Sequence, residues 1–156
     1  GSDGADMTTI GNQTNLKEGH YVYHLSVNPQ NLLEYARIAN NEGITEEDIA
    51  LLKKALCHSV TALDTSRKMG CENEALIWVV MKEGSSKHLP SFTDLIEIKR
   101  QEGSRRTIDL TMLTQVLKAV TDEIESVELW YNPVMTDIVG LDSATQYNIH
   151  SHEKIS

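Results

Sequence analysis

Thr65-Ser66-Arg67-Lys68-Met69-Gly70 brings two hydroxyls, a guanidinium fork, an ammonium and a glycine into one short stretch. These groups together can bind phosphate. Hydroxyls and backbone N–H groups donate to its oxygens, the guanidinium donates two bonds at once, and the glycine frees backbone to approach. The same residues also suit a helix exit, where Arg67 and Lys68 complement the negative end of the dipole and Gly70 permits the turn. Composition alone leaves both readings open. A second cluster, Lys99, Arg100, Arg105 and Arg106, surrounds a glycine-containing link. It would extend a phosphate track, contact a neighbouring subunit, or form a solvated loop.

Other chemistry has thinner support. Cys57-His58 with Cys71 lacks paired ligand spacing, and His150-Ser151-His152 falls in an expected tail, so no metal site is predicted. His20 and His24 read as polar-rim positions, His58 as a helix-surface residue and His88 as loop. There is no nucleophile elbow and no Walker-type glycine loop, so the reading is non-enzymatic and needs no cofactor. Trp78 and Trp130 fall in predicted strands, where core packing is a commoner fate than base stacking.

The elements that must hold the Thr65–Gly70 junction are the clearest in the chain. Thr45 caps a helix, Asp48 stands at the reciprocal capping position, and Ile44 staples against Ile49. Its expected apolar face is Ile49, Leu52, Leu56, Val60 and Leu63. Downstream, residues 75–81 read as a strand covered on both faces. Before the helix, 20–27 alternates Tyr21, Tyr23, Leu25 and Val27 with Val22, His24 and Ser26, predicting a strand, and Asn28-Pro29 opens a short helix ending near Asn40. After Gly84, residues 92–98 read as the antiparallel partner of 75–81. Asp109 is expected to cap a helix carrying Leu110, Leu113, Leu117, Val120 and Ile124, and 127–131 to be the last strand.

The order strand, helix, strand, strand, helix, strand predicts an α+β fold: a ferredoxin-like or modified RNA-recognition-motif sandwich, mainly antiparallel, with helices on one face. One domain is the default for 156 residues, divided as a flexible arm at 1–19, a palm-like body at 20–133 and a partly ordered tail at 134–156. No apolar run approaches a membrane span, and two scattered thiols suit a reducing cytoplasm. The net charge of −9 argues against nucleic acid until its distribution is considered. Residues 53–106 hold ten Lys and Arg against seven Asp and Glu, while the flanks hold four against sixteen. The junction lies in the basic part.

Gly43-Ile44-Thr45-Glu46-Glu47-Asp48-Ile49-Ala50-Leu51-Leu52, then Leu63-Asp64-Thr65-Ser66-Arg67-Lys68-Met69-Gly70, then the apolar strand into Met81-Lys82-Glu83-Gly84 resemble the backbone subunit of type I CRISPR interference (Cascade) complexes. Subtype I-B is the nearest branch. The resemblance spans roughly residues 7–131 and rests on the order and spacing of modest signatures. It implies a protein that polymerises along a guide RNA, contacts other copies of itself and other subunits, and meets the target DNA strand through the complex. Position by position, Ser66, Arg67 and Lys68 fall on the family's hydroxyl-and-basic grip. Met7, Thr8, Thr9, Ile10, Gly11, Asn12 and Gln13 fall on the returning arm of its thumb, whose apolar tip wedges between bases. The family often places Arg before Ser; here Ser66 precedes Arg67. Nothing before Met7 supplies the family's first palm strand or finger, so the resemblance implies a C-terminal portion or a natural short form. Asp3 and Asp6 are read as arm acids. The alternative is a ferredoxin-like protein-interaction module without RNA binding.

Overall fold

The computed structural model describes residues 19–28, 36–38, 43–59 and 72–155. Helix α1 (Glu46–His58) begins where the sequence places it, because Thr45 Oγ1 accepts from the Asp48 N–H at 3.2 Å while Asp48 Oδ2 accepts from the Thr45 N–H at 2.9 Å. This reciprocal box satisfies two orphan donors, and three first-turn acids face the positive end of the dipole. Its inward face is Ile49, Leu52, Lys53, Leu56 and Cys57, of which Cys57 is buried. The expected Val60 and Leu63 lie outside the described residues.

Two three-stranded sheets follow. The first has the order β1 (Ala75–Met81), β4 (Ile124–Tyr131), β6 (Thr145–Asn148), with β1 and β4 antiparallel and β4 and β6 parallel. The second has the order β2 (Glu97–Lys99), β3 (Arg106–Asp109), β5 (Thr136–Val139), again with one antiparallel and one parallel pairing. The α+β class matches the sequence reading. Helix α2 (Thr111–Ala119) turns its buried Leu113 and Leu117 into the core with Ile108, Leu110, Leu129, Tyr131, Leu141 and Ala144.

The period of two along the first sheet decides which residues meet what. Ala75, Ile77 and Val79 of β1 and Val127, Leu129 and Tyr131 of β4 pack in the core. The intervening Trp78, Glu128 and Trp130, with Tyr147 of β6 in register beside Trp130, therefore take the opposite face, and α1 approaches there.

Four expectations need correction. Residues 20–27 form no regular strand, although His20 and Val22 are half-buried and Tyr21, Tyr23 and Leu25 are exposed. Alternation sorts side chains by face, but a strand exists only when a neighbour takes its N–H and C=O groups. Residues 92–98 do not pair with β1, whose partner is β4; they contain a 3-10 turn (Thr93–Leu95) and the start of β2. Helix α2 stops at Ala119, a 3-10 turn (Thr121–Glu123) intervenes, and Ile124 opens β4 rather than closing the helix.

The fourth concerns the expected tail. Residues 134–155 hold β5 and β6, and Leu141 and Ile149 are essentially inaccessible. Thr114 anchors this segment: its hydroxyl donates to the Leu110 carbonyl and accepts the Leu141 N–H, both at 2.8 Å. The backbone comes so close at Gly140 (φ +84°) that a Cβ there would meet the Leu110 and Thr111 backbone at 3.1 Å. Only glycine fits without displacement.

Candidate nucleic-acid interface

Ser66, Arg67 and Lys68 and the arm Met7 to Gln13 lie outside the described residues. What is described is the support on either side of the junction. α1 packs against β1, and the Asn73 side-chain amide donates to the Leu56 carbonyl at 2.9 Å. That bond ties the approach to β1 onto the last turn of α1, so both ends of the junction are anchored to one base.

The second basic cluster lies within the described residues, and Lys99, Arg105 and Arg106 meet carboxylates. Arg106, 11% exposed at its side chain, lies 3.1 Å from Glu74 and 3.5 Å from Glu72. Glu74 also takes His20 Nδ1 at 3.0 Å, so one carboxylate joins β3 to the segment at 19–28. Arg105 is 2.9 Å from Asp137 and donates to the carbonyls of Pro133 and Thr136. Lys99 sits 3.2 Å from Glu97 and 4.0 Å from Asp109, and Arg100 is exposed. The structure thus brings Lys99, Arg105 and Arg106 to the second sheet as partners of acids. A polyanion would have to compete with those acids.

Asp109 does serve the start of α2, though one residue ahead of the cap position. Its Oδ1 accepts from the Thr111 N–H at 2.9 Å. Hydrogen bonds from Thr111, aided by Lys99, hold its carboxyl below the usual carboxylate range.

Sequence reasoning missed a groove of about 710 Å³ between α1 and the first sheet, lined among others by Ile49, Lys53, Glu128, Trp130, Tyr147 and His152. Lys53 Nζ lies 3.0 Å from both Glu128 oxygens and 5.3 Å from the Trp78 ring centre. The Trp130 indole N–H donates to Glu128 at 3.0 Å, and Trp130 stacks on Tyr147 with centroids 4.5 Å apart. Trp130 is therefore a half-buried wall of this groove and Trp78 lies half-buried beneath Lys53, neither being a member of the central core. The period-two alternation of β4 signals the pairing of Glu128 with Trp130 on one face, whereas the polar run Thr145–Asn148 carries no strand signal that would reveal Tyr147. Beneath the groove, burial pushes the Cys57 thiol up to about 11, with Glu128 adding and Lys53 opposing. Burial, together with His152, His150 and Lys54, holds His58 below the ordinary histidine range.

No helix among the described residues is long and apolar enough to cross a membrane. A family model described as CRISPR-associated protein Cas7 matches residues 2–116 of the chain. No curated protein matches it.

Proposed function

Because this chain belongs to the Cas7 family, the backbone subunits of type I CRISPR complexes, we propose that it holds guide-RNA phosphates with Ser66, Arg67 and Lys68 and polymerises head to tail along the guide. In this reading Met7 to Gln13 insert between bases, the complex presents the guide to a target DNA strand, and the subunit itself catalyses nothing. The placement is subtype I-B and the compartment the cytoplasm.

One observation carries the proposal: the family match at 2–116 includes the arm, the junction and the second basic cluster together. The anchored base at Leu56 and Asn73 supports it, since a grip on rigid supports loses less entropy on binding. The ion pairs of Lys99, Arg105 and Arg106 favour a bracing role for the second cluster, outside the phosphate track. We also assign residues 20–155 to the palm-like body, because β5 and β6 complete both sheets, and residues 1–19 to the arm.

The test is binding of single-stranded RNA at low salt by the chain and by its Arg67→Glu/Lys68→Glu variant, with circular dichroism as the folding control. Binding that disappears in the folded variant is the expected result. Equal affinity in both proteins would remove the grip from this junction.

A further inference from the structure

His58 ends α1 and His152 lies beyond β6, far apart in sequence, yet their Nε2 atoms are 2.8 Å apart. The ring centroids are 5.0 Å apart and the planes 23° from parallel. Since the centroid spacing exceeds the nitrogen spacing by about two ring radii, the imidazoles meet edge to edge, nitrogen facing nitrogen, rather than face to face. Such a meeting of two basic nitrogens needs something between them.

His152 is held in place for this contact. It has φ +62°, one of two non-glycine residues described with positive φ. Backbone held in that region is stabilised by its surroundings and concentrates at functional positions. The His152 N–H donates to the Asn148 carbonyl at 2.8 Å, and the Trp130 ring meets the imidazole edge-on at 5.5 Å. His58 is fixed by the helix it terminates.

We propose that His58 and His152 form a two-imidazole site for a divalent cation of the zinc class, which staples α1 to the segment after β6. Imidazole suits zinc, copper and nickel. At zinc–nitrogen distances of about 2.0–2.1 Å, two tetrahedral ligands have nitrogens about 3.4 Å apart, so the pair must open by about half an ångström. Among the described residues no third His, Cys, Asp or Glu converges on the pair. The remaining coordination positions therefore fall to water or to a group from a second molecule, as in an open site.

The same contact without metal is a single shared proton in an N–H···N bond, and the experiment separates the two. Zn²⁺ alone is titrated calorimetrically into the chelator-stripped full chain, with His58→Gln, His152→Asn and Cys57→Ser variants alongside. Asparagine tolerates positive φ, so His152→Asn keeps the backbone while removing the ligand; circular dichroism checks each fold. The expected result is one equivalent of Zn²⁺, weakened roughly tenfold or more in either histidine variant and unchanged in Cys57→Ser. No binding by the parent chain, which would mean a shared proton only, overturns the proposal. So does binding that survives both histidine variants or depends on Cys57.

Discussion

Replacing Arg106 by alanine separates a structural cation from a phosphate ligand. The side chain is 11% exposed, against 19% for Glu74 and 40% for Glu72. Breaking a fully buried pair costs about 3–5 kcal/mol, because it strands a charge. An exposed pair contributes about 0–1 kcal/mol. With one carboxylate well covered and the other half in solvent, the expected loss is about 2 kcal/mol. For a chain of this size that lowers the melting temperature by roughly 4–8 °C. Urea unfolding at pH 7 reads the loss directly, and a cycle with Glu74→Gln isolates the pairwise part, expected at about 1 kcal/mol or more. His20 should be monitored in the same series, since it shares Glu74. A change under about 0.5 kcal/mol, the range of ordinary surface substitutions, would refute the bracing role. Weaker RNA binding with unchanged stability would do so too, by returning Arg106 to the phosphate track.

Three further outcomes follow from the packing. Leu129→Ala empties a position with 0% exposure in β4 and is expected to cost about 3–4 kcal/mol in chemical denaturation. Gly140→Ala drives a methyl against backbone at 3.1 Å with φ at +84°, so it should destabilise by about 1–3 kcal/mol, whereas Gly103→Ala, with open space around it, should cost less. Asp109 has a folded pKa below its unfolded value of about 3.9, so its contribution is present above that pH and is lost as acid titrates the folded carboxylate. Asp109→Asn should therefore flatten the acid limb of stability measured from pH 5 downward, and an unchanged limb would contradict the Thr111 hydrogen bond.

Local codes were legible in the sequence and non-local pairings were not. Thr45 and Asp48 announce α1 because both halves of a capping box lie within one turn. The run 75–81 announces β1 because every residue in it is apolar and half-buried. By contrast β5 and β6 are four-residue strands rich in polar side chains. What makes them strands is parallel pairing with β3 and β4, set by partners distant in sequence. The alternation at 20–27 misled for the same reason: no neighbour pairs with it as a strand, and Tyr21, Tyr23 and Leu25 of its apolar set are exposed. At the candidate interface, the basic character of Lys99, Arg105 and Arg106 was visible, whereas their carboxylate partners Glu97, Asp137 and Glu74 emerge only on folding. The Lys53–Glu128 pair bridges elements 75 residues apart, and no window along the chain contains both.

The salt dependence of RNA binding tests the grip most directly. Each phosphate contact to a single strand contributes about 0.7 to the slope of log affinity against log salt. Removing Arg67 and Lys68 together as alanines should lower the slope's magnitude by about 1.4, and removing Arg105 in the same way should leave it unchanged. A slope insensitive to the first pair and reduced by the second change would contradict the assignment.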